Sequence, residues 1–212
     1  MPVHSLVGRL LPNTMTIPST TLCLVRHGET AWNREERIQG NTDIPLNDAG
    51  RDQARNTATA LSLEHWDILV ASPLSRAMET AEIIAAAVGV AEVHPEPDLT
   101  ERAFGDAEGI RSEDRRTRYP DGNIPGAESW DRVRGRALQA IERVRARWSG
   151  QRVIVVSHGG TIINLLNLLS GGEYGPRRVR IDNAAMSLIE YDGAWRVMWS
   201  NRTGAPATAD PV

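Results

Sequence analysis

Long apolar runs are missing from this 212-residue chain. A bilayer span needs roughly 20 apolar residues in succession, so no membrane partner is expected. Cysteine is almost missing. Cys23 stands alone, which rules out an internal disulfide and fits a reducing, cytoplasmic setting. Within its apolar run Cys23 reads as a small core residue. Charge of one sign is not in excess either, and a formal net charge of −3 provides no bulk attraction for nucleic acid. Neither an HExxH pattern nor paired cysteines occur, so no metal is expected. The first twenty residues lack the sustained apolar segment of a signal peptide. Residues 1–20 are read as a flexible extension, with Met15 as an alternative start, and residues 204–212 as a flexible tail. That leaves 21–203 as a single domain, long enough to bury a substantial core.

What is present alternates. Apolar runs of strand character occur at Thr21–Val25, Ile68–Ala71, Val153–Val156, Ser187–Tyr191 and Trp195–Asn201, with a short one at Glu92–His94. Helical patterns fill Asn47–Ser62, Ser75–Val88, Ser129–Ser149 and Thr161–Leu169. Asn47 or Asp48 serves as a cap and Gly89 as a stop. Strands alternating with helices imply crossover connections and a three-layer α/β sandwich, its mostly parallel sheet covered on both faces. Asp192-Gly193 between the last two strands is a hairpin signal, so the sheet is mixed, with an antiparallel edge. The segment Arg102–Ala127 is irregular and carries a basic cluster at Arg111, Arg115, Arg116 and Arg118. It reads as a lid over the site, with one short helix. These arginines, like those at 132, 134, 136, 143, 145 and 147, read as solvated surface, with substrate contact by Arg116 or Arg118 as the alternative. His4, His65 and His94 read as surface or structural residues.

The chemistry sits at two strand ends. Leu22 to Val25 runs into Arg26-His27-Gly28, and Val153 to Val156 runs through Ser157 into His158-Gly159-Gly160. In open α/β sheets ligands bind at the carboxyl ends of strands, so two imidazoles converge on one site. Arg26 makes that site cationic and suited to phosphate. Three further motifs follow in order: Ser72-Pro73-Leu74-Ser75-Arg76-Ala77, Leu99-Thr100-Glu101-Arg102-Ala103-Phe104-Gly105, and Gly126-Ala127-Glu128-Ser129.

With these five motifs in order from Thr21 to about Arg202, the chain resembles the histidine phosphatase superfamily, which includes cofactor-dependent phosphoglycerate mutases and related small-molecule phosphatases. The resemblance implies a phosphoglycerate mutase-like fold. It implies that His27 is the nucleophile that becomes phosphohistidine, that Arg26, Arg76 and His158 hold the phosphoryl group, and that Glu101 protonates the leaving group. It makes Asn33 a further phosphate contact, and Gly28 and Gly159 substrate-binding backbone. Arg102 after the glutamate is similar to the mutase form and is expected at a substrate carboxylate.

Physical chemistry agrees with these roles. A phosphate dianion repels an anionic nucleophile but not a neutral imidazole, whose unperturbed pKa is roughly 6.5. One ring nitrogen must then donate elsewhere, a backbone carbonyl being the expected acceptor. Two guanidiniums and a protonated second histidine supply charge stabilisation without a metal, and the planar arginine fork matches phosphate oxygens. A protonated Glu101 delivers a proton to the alkoxide and later takes one from water. The substrate expected is a small phosphorylated metabolite, such as a phosphorylated carboxylic acid. Only 26 residues (102–127) separate Glu101 from Glu128, too few for the large insertion of the mutases, which favours a phosphatase needing no cofactor. The alternative is a mutase, which would need a 2,3-bisphosphoglycerate primer. A non-catalytic phospho-ligand module is disfavoured, because the nucleophile and acid are both present.

Overall fold

The computed structural model of the chain describes residues 19–204. His4, the expected extension up to residue 18 and the tail beyond Gly204 lie outside the described residues. Six strands form one sheet: β1 (Thr20–Arg26), β2 (Ile68–Ala71), β3 (Val93–Pro95), β4 (Arg152–Ser157), β5 (Met186–Tyr191) and β6 (Trp195–Arg202), in the order β3-β2-β4-β1-β5-β6. β1 begins at Thr20, fully buried and one residue inside the expected extension. Strands β3, β2, β4 and β1 are parallel, while β5 runs antiparallel to β1 and is joined to β6 by the hairpin at Asp192-Gly193.

Alternation along the strands builds two cores. Leu22 and Leu24 point to one face with Val153 and Val155, against α5 (Trp130–Arg147) and α6 (Gly159–Leu169). Cys23 and Val25 point to the other with Ile154 and Val156, against α2 (Asp48–Leu61) and α3 (Ser75–Val88). The free thiol of Cys23 is pushed up to about 12 by burial, so it is inert packing. Two short α-helices lie in the connections, α1 (Ala31–Arg34) and α4 (Ser112–Arg118). Asn47 and Ser129 cap α2 and α5 through their side chains, and Gly89 ends α3 at φ 76°.

This winding locates the site. From β1 the chain passes to β2 through α2 on one face. From β4 it passes the other way to β5 through α6 on the opposite face. The crevice beyond the ends of β1 and β4 is therefore a topological switch point, where open α/β sheets bind ligands.

Candidate active site

Arg26 and Ser157 are register partners at the ends of β1 and β4, and His27 N donates to Ser157 O at 3.0 Å. His27 and His158 follow from neighbouring strands, with ring centroids 5.1 Å apart. His27 Nδ1 lies 2.7 Å from the Gly28 carbonyl. A carbonyl only accepts, so the proton sits on Nδ1 and Nε2 keeps its lone pair. Burial first, then Arg76 and Arg26, hold His27 well below the ordinary histidine range. A neutral ring is what a phosphoryl acceptor needs.

His158 Nε2 lies 2.8 Å from Ser72 Oγ, while its Nδ1 is buried without a protein partner. Burial and then Arg76 hold this imidazole well below its ordinary range too. The expectation of a protonated second histidine is thus corrected for the unliganded site: burial of the ring beside two guanidiniums disfavours a third cation. With Ser72 donating to Nε2, neutral His158 still offers an Nδ1–H.

The arginines are gripped by backbone. Arg26 Nη1 donates to Ile181 O at 2.7 Å, and burial brings its guanidinium down to about 10, still charged at neutral pH. Arg76, fully buried in the first turn of α3, donates to Thr42 O at 3.0 Å and Gly40 O at 2.7 Å. The loop carrying those carbonyls is held by Glu108, which accepts from Asn41 N, Thr42 N and Phe104 N. Glu108 therefore braces the loop whose carbonyls hold Arg76. In both Arg26 and Arg76 the Nε–H is buried without a partner. Three donors around His27 are left without acceptors, each costing about 1–3 kcal/mol until one arrives. An anion with several oxygens supplies them together.

Glu101 lies on the other side of α6's first turn. Its Oε1 accepts from Arg102 N and its Oε2 from Gly160 N, both at 2.9 Å. A Cβ on Gly160 would stand 2.5 Å from Oε1, so only glycine permits this approach. The backbone around Glu101 is gripped by Arg136, read from the sequence as solvated surface and found largely buried. Its five N–H donors reach both carboxylate oxygens of Glu128 and the carbonyls of Asp98, Thr100 and Glu101, at 2.6–3.0 Å.

These groups line, or in the case of His158 lie behind, a cavity of about 540 Å³. Arg26, His27, Asn33, Arg76, Glu101 and Gly159 all line it. Asn33 Oδ1 accepts from Thr30 N and Asn183 Nδ2, leaving its NH₂ for the cavity. Two expected substrate contacts do not line it. Gly28 spends its N–H on Thr80 Oγ1 at 3.1 Å, and a Cβ there would meet Gly50 O at 2.3 Å, so its role is to seat α2 against β1. The Arg102 guanidinium is stacked between Phe104 and Trp130, 4.7 and 4.4 Å from the ring centroids, and its Nε donates to Glu128 O. The expected lid is displaced as well: of residues 102–127 only Phe104 lines the cavity. Arg116 and Arg118 do not reach it, and α4, the short helix foreseen there, is exposed. The rim is instead built by Ile38, Gln39 and Gly40 and by the stretch from Pro176 to Ile181, with Arg180 exposed upon it. That wall was missed from the sequence. The basic run Arg177-Arg178-Val179-Arg180 was its available signal.

The family model of the histidine phosphatase superfamily (branch 1) matches residues 22–203. The chain belongs to that superfamily. The histidine phosphatase described here is 42% identical over 179 residues to the uncharacterized phosphatase PhoE of Bacillus subtilis, covering 84% of this chain and 92% of that one. It is 38% identical over 198 residues to a metal-independent phosphoserine phosphatase of Arabidopsis thaliana, covering 86% and 82%. Phosphoserine phosphatase of Entamoeba histolytica, solved with 3-phosphoglyceric acid, superposes with a TM-score of 0.76 at 28% identity, covering 87% and 98%. Other relatives carry the name probable phosphoglycerate mutase. The family and the phosphatase names put the chain among the phosphoric monoester hydrolases.

Proposed function

We propose that this histidine phosphatase hydrolyses small phosphomonoesters in two steps on His27, without a metal. The observation that carries the reading is the set of buried, unpartnered donors on Arg26, Arg76 and His158 around a histidine whose Nε2 lone pair is free. The phosphoryl oxygens complete those donors. Nε2 attacks phosphorus, an N–P bond forms and the ester P–O bond breaks. Glu101 gives its proton to the departing alkoxide. Water then attacks phosphorus, Glu101 takes its proton, the N–P bond breaks and inorganic phosphate leaves. Guanidinium and N–H donors aimed at developing charge perform the work that a metal does elsewhere.

Hydrolysis is favoured over mutase chemistry by the rim. A mutase must exclude water between its half-reactions, and here the segment after Glu101 contributes only Phe104 to the cavity. Among substrates, small phosphorylated carboxylic acids fit best. Relatives named for phosphoserine, and the neighbour solved with 3-phosphoglyceric acid, support this. Arg180 at the rim, not Arg102, is the cation such a carboxylate meets. Phosphorus NMR of the protein with 3-phosphoglycerate in EDTA tests the reading: inorganic phosphate is the expected product. Formation of 2-phosphoglycerate, only after priming with 2,3-bisphosphoglycerate, would make the protein a mutase.

A further inference from the structure

Beside the catalytic cavity lies a second one of about 640 Å³, and the two share Ile163 and Pro176 in their walls. Its lining carries four cations from three parts of the chain: Arg115 of α4, Arg134 of α5, and Arg177 and Arg178 of the loop after α6. Asn164 and Asn167 of α6 and the indole of Trp130 complete it. Arg134 is held by Asp131 and by Asn164 Oδ1. Arg115, Arg177 and Arg178 have no carboxylate within ion-pair distance among the described residues, and Glu173 on the same loop does not line the cavity. Like charges converging from separate elements repel one another. Every basic residue here is arginine, for the chain contains no lysine, and the arginine fork favours bidentate phosphate or carboxylate.

We propose that this second cavity is a distal anion subsite. It selects phosphomonoesters whose alcohol carries a second anionic group, phosphate or carboxylate, several bonds from the reacting phosphorus. A carboxylate adjacent to the phosphoester, as in phosphoglycerate, stays within the first cavity. The second cavity, which shares the walls Ile163 and Pro176 with the first, takes the far end of a longer molecule. The inference rests on the reading of the His27 cavity as the phosphoryl site.

Binding tests it without requiring turnover. Calorimetry of the full chain compares non-hydrolysable α,ω-bisphosphonates on butane, hexane and octane with alkyl monophosphonates of equal length. One bisphosphonate length should bind about tenfold tighter than its monophosphonate, the value of one charge-assisted contact of about 1.4 kcal/mol. Matched ω-carboxy phosphonates show whether the distal group recognised is phosphate or carboxylate. The double variant Arg177→Gln/Arg178→Gln should erase the preference, while Arg55→Gln, the loss of one charge on distant α2, should keep it. Equal affinity of mono- and bisphosphonates at every length overturns the proposal, as does a preference that survives the double variant. Failure of the phosphoryl reading shows separately, as absence of an acid-labile phosphohistidine on His27 after exposure to any phosphoester.

Discussion

The two ends of the site are built on opposite plans. At the phosphoryl end, Arg76 and His158 are buried and Arg26 is half-buried; they are tied to backbone carbonyls or to Ser72, and the buried Nε–H of each arginine and the His158 Nδ1 have no partner. At the rim, Arg177, Arg178 and Arg180 are exposed and no buried backbone grips them. Rigidity at the first end lets fixed donors meet developing charge without reorganising during the reaction. Freedom at the second lets one phosphoryl machine accept different alcohols, which is how one fold serves several substrates.

The largest effect expected from this contrast lies at the buried end. His27→Ala should lower turnover on every substrate by about 10⁴-fold or more, because no other neutral nucleophile stands between Arg26 and Arg76. Steady-state rates on 3-phosphoglycerate and p-nitrophenyl phosphate measure it. A loss confined to one of them would place the nucleophile elsewhere. Glu101→Gln should come next and should split the substrates. Alkyl phosphates lose about 10²–10⁴-fold, while p-nitrophenyl phosphate, whose leaving group needs little protonation, loses far less. Equal losses on both would remove Glu101 from the acid's role.

Arg136 sharpens the comparison, since it belongs to the buried plan without touching the cavity. Arg136→Lys keeps a cation but cannot reproduce five donors in a planar fork. The loop bearing Glu101 should shift, costing on the order of 10²-fold in kcat on alkyl phosphates with KM little changed. The loss should follow leaving-group pKa as in Glu101→Gln. A uniform loss on aryl and alkyl substrates would mean that Arg136 only supports the fold.

How much of this was legible follows the same division. The strand ends and the convergence of His27 and His158 on one site follow from apolar runs ending in histidine and glycine, whereas the strand order that makes β1 and β4 neighbours does not. Ser72 meets His158 across 86 positions of sequence, and no local pattern shows that. Arg102, expected at a substrate carboxylate, and Arg136, expected in solvent, both turn inward for a related reason. A charged residue reads as free for solvent or substrate unless its distant partners are known, and here those are Trp130 for one and the Asp98–Glu101 carbonyls for the other. The lid was placed on 102–127 because irregular sequence attracts a functional reading. The actual wall at 176–181 is shorter and looks like a plain connection into β5.

The smallest effect is one of stability, and it too separates the two ends. His27 and His158 are held neutral when folded, by burial and by the arginines, and each returns to roughly 6.5 when unfolded. Below that value the unfolded chain binds protons that the folded chain refuses. The contribution is therefore complete above about pH 6.5 and is lost as pH falls, by up to about 1.4 kcal/mol per pH unit for each ring. Urea unfolding between pH 6.5 and 5 should show that slope, and His27→Asn should remove about half of it. A slope that His27→Asn leaves unchanged would mean that this ring takes up its proton in the folded enzyme and that the neutral nucleophile is not preformed.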